Sequence, residues 1–283
     1  MTTNLSFKLF VCLATVAAFF PNSNSYQILG FFPTPVYSHQ VPFFNLFDQL
    51  VARGHNVTLL AGFPLPQSNV SQYKYIHVSS VLNEKDKKFN PRSLTPITRR
   101  NYLLNVRDRS NFCLLFMRRA LANPNTRDLI RLDKSKFDVI ISEVTFCGEA
   151  YVALAHKYRA PLVNFMPLGY QAATFLLLGD VVHPSLVPDQ RFGFTDRMSW
   201  LQYLCNVFAT VRDLIEEKNY YLPRVQDIME SEFIYPGSDT RPPLQTLLTN
   251  ISLTLLEYDP AKFGISFPVT PNIQFVGKIL EET

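Results

Sequence analysis

The stretch from Gln27 to Leu60, QILGFFPTPVYSHQVPFFNLFDQLVARGHNVTLL, restricts the fold more than any other part of the chain. Ile28–Phe32 is a short apolar run closed by Pro33, the pattern of a buried strand. Pro33 to Gln40 reads as a loop. Phe43, Phe44, Phe47, Leu50 and Val51 then recur at helical spacing, with Pro42 where a first turn tolerates proline. Gly54 ends that helix, and Val57–Leu60 opens a second strand. The loop carries one titratable side chain, His39.

The same alternation continues downstream. Lys74–Val78 reads as a third strand, Ile97–Ala122 as helix, Phe137–Ile141 as a fourth strand, Cys147–Tyr158 as helix and Ala160–Phe165 as a fifth strand. Ser79–Arg92 is charged and irregular, and reads as a surface excursion. Arg197–Asn219 and Val225–Phe233 are helical, and Ile251–Glu257 and Ile273–Val276 supply two last strands. Strands alternating with helices predict an α/β fold with a Rossmann-like parallel sheet covered on both faces. In such a sheet the strand order runs 3-2-1-4 from one edge, and ligands sit beyond the carboxyl ends of strands one and four. His39 follows strand one, and Ser142 and Glu143 follow strand four. Topology alone therefore brings His39 and Glu143 to one crevice. An imidazole held by a carboxylate is a general-base pair. The other histidines, His55, His77, His156 and His183, read as structural.

Composition excludes several alternatives. A net charge of +4 over 283 residues, with 18% charged residues, is too mild to imply nucleic acid. Residues 1–25 read as a secretory signal peptide: Lys8, the apolar run Leu9–Phe20, then small residues at Ser23 and Ser25. The best later candidate for a membrane span, Ala172–Val182, is broken by Asp180. Residues 26–283 then form one domain, lumenal or secreted. Cys12 leaves with the signal. Cys113, Cys147 and Cys205 have no spacing that suggests a zinc site or a disulfide framework; one pair could form in an oxidising compartment, and buried thiols are the expectation. Sequons fall at Asn56, Asn69 and Asn250, and Asn69 is the expected acceptor of a glycan because it lies in a polar loop.

Five segments carry a resemblance. They are Tyr37-Ser38-His39, Arg53–Thr58, Phe137-Asp138 through Cys147, His183–Pro188 with Phe194–Ser199, and Pro271–Gly277. In this order they resemble the UDP-glycosyltransferases of the animal UDP-glucuronosyltransferase family, insect type in particular. The resemblance implies the N-terminal, acceptor-binding half of a GT-B glycosyltransferase. Such enzymes pass a hexosyl group from a UDP-sugar to a lipophilic alcohol or phenol, inverting the anomeric carbon. His39 matches the family's base. Glu143 stands where vertebrate members carry an aspartate that orients the base. Tyr37, Ser38, Phe146 and Phe165 are then expected to contact the acceptor. No metal and no cofactor is implied, the UDP-sugar being a co-substrate held mainly by the other half.

The donor half of that family is not found before Thr283. None of the ten glycines is adjacent to another, and no phosphate-cradling loop is visible. The expectation is a fragment or short form with negligible turnover alone, sent to the endoplasmic reticulum and able to associate with other UDP-glycosyltransferases. The rival reading is a non-catalytic module that binds lipophilic ligands or regulates a full-length relative.

Overall fold

A computed structural model describes residues 25–33, 37–63, 73–78, 106–167, 175–176, 178–180, 184–258 and 269–277. The expected surface excursion, His183 and the sequon at Asn69 lie outside these residues.

Within them the chain runs β1 (Gln27–Phe32), α1 (Tyr37–Ala52), β2 (Asn56–Ala61), β3 (Tyr73–His77), α2 (Val106–Ala122), α3 (Pro124–Arg131) and β4 (Val139–Ser142). A short 3-10 turn (Glu149–Val152) leads into α4 (Ala153–Tyr158) and β5 (Leu162–Met166). Then come α5 (Trp200–Glu216), a π turn (Glu217–Tyr221), α6 (Leu222–Glu232), α7 (Leu244–Thr249), β6 (Leu253–Leu256) and β7 (Ile273–Phe275). The strands form one seven-stranded sheet in the order β3-β2-β1-β4-β5-β6-β7. Every neighbouring pair is parallel. This is the predicted class and the predicted 3-2-1-4 edge.

β1 shows why both faces must be covered. Its alternate side chains enter different cores: Ile28 and Phe32 pack with α1, whereas Leu29 and Phe31 pack on the side of α2, α3 and α6. A strand buried on both faces reads as a continuous apolar run, as it does here. Gly30 lies between them because a Cβ there would come within 2.5 Å of Phe47 Cζ. The missing side chain lets α1 settle on the strand. Phe47 is fully buried as a result, and such burial stabilises by roughly 2–3 kcal/mol.

Three expectations are corrected. His39 is not in a loop: α1 begins at Tyr37, so Tyr37, Ser38 and His39 form its first turn, and Pro42 lies inside the helix. Proline has no N–H to lose there beyond the one owed to the carbonyl of Ser38, so the turn survives. Cys113 and Cys147 are joined as a disulfide across 34 positions rather than being free thiols. Cys205 is free but exposed, not buried.

Candidate active site

α1 brings its first turn over the carboxyl end of β1, and β4 ends beside it, paired to β1 through Phe31 and Ser142. The Ser142 hydroxyl donates to the Phe31 carbonyl at 2.7 Å, which ties the two strand ends together. Gln40 fastens the helix: its Nε2 donates to the Phe32 carbonyl at 2.9 Å and its Oε1 accepts from the Phe63 amide at 3.1 Å. Between these anchors His39 Nδ1 lies 2.8 Å from Glu143 Oε1 and 3.0 Å from Oε2. Both side chains are almost wholly buried, His39 at 4% and Glu143 at 2% exposure. Burial pushes the Glu143 carboxyl up, and the charge and hydrogen bond of His39 pull it back. A carboxylate accepting from Nδ1–H fixes the tautomer with the free lone pair on Nε2.

The strand-to-helix loop after Glu143 is tightly folded. The Val144 amide donates to the side chain of the buried Asn164 on β5 at 3.0 Å. Cys147 has φ 56° and is held to α2 by the disulfide. Gly148 has no room for a side chain, since a Cβ would stand 2.2 Å from the Glu143 carbonyl oxygen.

Of the other residues expected at the site, Phe146 lies against the His39 ring, with centroids 4.6 Å apart. Tyr37 and Ser38 are exposed on the first turn. Phe165 is not brought to the cleft. It is fully buried and packs edge-on to Phe43 at 4.5 Å, so its ring is core and has no surface to offer a ligand.

A cavity of about 50 Å³ opens behind Phe146, lined also by Arg109, the Cys113–Cys147 bridge, Glu149, Glu217 and Tyr221. The Tyr221 hydroxyl donates to Glu149 Oε2 at 2.5 Å. Burial raises the Glu149 carboxyl to about 7 and that of Glu217 to about 8, so both hold their protons at neutral pH for much of the time. Glu217 Oε2 has no hydrogen-bond partner among the described residues. Sequence reasoning missed Gln40, Asn164, Glu149 and Glu217. The first two act through backbone contacts that leave no spacing signal. Glu217 reaches the cavity through a π turn, which shifts helical register unpredictably.

No family model matches the chain. Curated relatives do. A UDP-glycosyltransferase of Dactylopius coccus, UGT4, is 27% identical over 188 residues, covering 65% of this chain and 35% of its own length. An ecdysteroid UDP-glucosyltransferase of Lacanobia oleracea granulosis virus is 27% identical over 277 residues, covering 89% and 52%. A UDP-glucuronosyltransferase of Rattus norvegicus, 2B15, is 24% identical and covers 85% and 47%. The chain is related to the UDP-glycosyltransferases. It spans about half the length, or less, of these UDP-glycosyltransferase relatives. Among solved structures, the glycosyltransferase of kitacinnamycin aligns over 92% of this chain and 53% of its own, at 15% identity and a TM-score of 0.43. That overlay is too loose to carry weight, and the fold stands on the sheet order.

Proposed function

We propose that this chain is the acceptor-binding half of an inverting UDP-hexosyltransferase, with His39 as general base. The reading rests on one observation: a buried imidazole–carboxylate pair at the switch point of a parallel sheet, in a relative of UDP-glycosyltransferases. Nε2 of His39 takes the proton of an acceptor hydroxyl while that oxygen attacks the anomeric carbon of the UDP-sugar. The new C–O bond forms as the bond to the β-phosphate oxygen breaks, and UDP leaves with the bonding electrons. Glu143 stabilises the imidazolium. Phe146, against the imidazole, and Tyr37 and Ser38, on the same turn, offer contact to a lipophilic alcohol or phenol.

UDP, the leaving group, needs electrostatic partners that a second domain supplies in this reading, and such stabilisation is a large term. Residues 1–25 would direct the chain to the endoplasmic reticulum, and Asn69 would carry a glycan. The Cys113–Cys147 bridge supports an oxidising compartment. The test is a glycosylation assay on the purified chain, with and without a UDP-sugar-binding domain in trans. Turnover only with that domain, abolished by His39→Ala, is the expected result. Turnover by the His39→Ala variant at the unmodified rate would sink the mechanism.

A further inference from the structure

Proton abstraction at His39 leaves the cavity behind Phe146 unused, yet the walls of that cavity are chemically specific. The π turn supplies Glu217 and Tyr221, since its widened winding brings positions four apart onto one side. The 3-10 turn supplies Glu149, and α2 supplies Arg109. Glu149 is accounted for, because the Tyr221 hydroxyl donates to its Oε2 at 2.5 Å. Glu217 is not. It is 9% exposed, it lines the cavity, and its Oε2 has no hydrogen-bond partner among the described residues. Arg109 is in the same position. Its Nη2 reaches Asp213 at 3.3 Å, whereas its Nη1 is buried and unpartnered among those residues. The two groups are electrostatic neighbours: burial raises the Glu217 carboxyl, and the positive charge of Arg109 pulls it back. A buried acceptor and a buried donor left open on one small cavity are costly unless something fills it.

This pair of open atoms selects the occupant. An anion would lie against two carboxyl groups, and a cation against a guanidinium. A hydroxyl is uncharged, accepts from Arg109 Nη1 and donates to Glu217 Oε2, so it satisfies both at once. The volume of about 50 Å³ exceeds the ~10–15 Å³ that one water needs, which leaves room for a hydroxyl and the carbon that bears it. Apolar walls for that carbon are present in Phe146 and Leu248. Phe146 belongs to both sites: it lines the cavity, and its ring lies against that of His39, with centroids 4.6 Å apart. One guest can therefore lie along Phe146 with one end at the base and the other in the cavity.

We propose that this cavity is a second acceptor subsite that takes a further hydroxyl of the guest, so that lipophilic diols and diphenols are preferred to simple alcohols and phenols. The inference deepens the acceptor-binding reading above and rests on it. The test is calorimetric titration of the full chain with 1-naphthol and with the dihydroxynaphthalenes, which set a second hydroxyl at graded distances from the first. At least one dihydroxy isomer should bind about tenfold tighter than 1-naphthol. Glu217→Leu should erase that difference, whereas Glu217→Gln, which keeps an oxygen and a donor in place, should retain most of it. Leu248→Phe fills the cavity from another wall and should erase it too; it serves as the test should the leucine variant fail to fold by circular dichroism. Equal affinities across the series, with 1-naphthol still bound, would overturn the subsite alone and leave the cavity to water. A preference that survives both Glu217→Leu and Leu248→Phe would overturn it as well, by placing the second hydroxyl elsewhere. Failure of every naphthol to bind would remove the acceptor-binding reading together with the subsite.

Discussion

His39 Nδ1 meets both oxygens of Glu143, at 2.8 and 3.0 Å, across 104 positions of sequence. With the longer of the two acidic side chains on β4's loop, the imidazole is reached without the backbone moving closer. In an assay with a UDP-sugar-binding domain supplied, His39→Ala should lower kcat by about 10²–10⁴. Glu143→Gln keeps an oxygen for Nδ1 but removes the charge that stabilises the imidazolium, so it should lower kcat with little change in KM. Glu143→Asp withdraws the oxygens by one methylene and should fall between that variant and the native chain. Equal activity in all four proteins would remove the pair from the mechanism.

The buried carboxyls Glu149 and Glu217 set a pH dependence of stability. Burial raises their folded values to about 7 and about 8, from 4.5. Between those limits the folded state binds more protons than the unfolded one. Their contribution is therefore complete below about pH 4.5 and lost as pH rises through 7 to 8, each group giving a slope of up to ~1.4 kcal/mol per pH unit. Glu217→Gln should flatten this fall and make the variant a few kcal/mol more stable than the native chain at alkaline pH. Urea titrations at several pH values measure it, and parallel curves for the two proteins would contradict it.

The Cys113–Cys147 bridge closes a loop of 34 positions. Reduction, or Cys113→Ser, should cost about 3–4 kcal/mol by the chain-entropy estimate. Denaturant midpoints with and without reductant give the number directly. An unchanged midpoint would mean that packing around α2 alone holds the loop.

Gly148→Ala places a Cβ against the Glu143 carbonyl oxygen, a backbone atom that no rotamer change can move aside. The expected cost is about 1–3 kcal/mol, and the hydrogen bond between Glu143 and His39 should loosen with it. Cys205→Ala, on the exposed face, serves as the control that should change neither.

The sheet was legible because its strands obey one rule: apolar runs buried on two faces, separated by helical periodicity. Ile28–Phe32 and Phe137–Ile141 needed nothing further, and their order placed His39 opposite Glu143. Helix boundaries were less legible. Pro42 argued for a late start to α1, yet one unmatched carbonyl is a small cost beside the buried faces of Phe43 and Phe47. Only the resemblance places Phe165 at the acceptor, whereas in the fold it faces α1. The cysteine pairing is a matter of distance in space, which three scattered positions do not encode. Arg197–Asn219 reads as helical, and sequence does not say which side of α5 turns inward when the inner neighbours are arginines.

Gln40, next to the imidazole in sequence, grips the last carbonyl of β1 and the amide beyond β2. Swinging the ring would drag two strand ends with it. The base is thus stationary before any guest arrives, and no association free energy is consumed in immobilising it. Discrimination between guests must then reside in whatever surrounds that fixed point, so swapping neighbouring segments should retune selectivity while sparing proton abstraction.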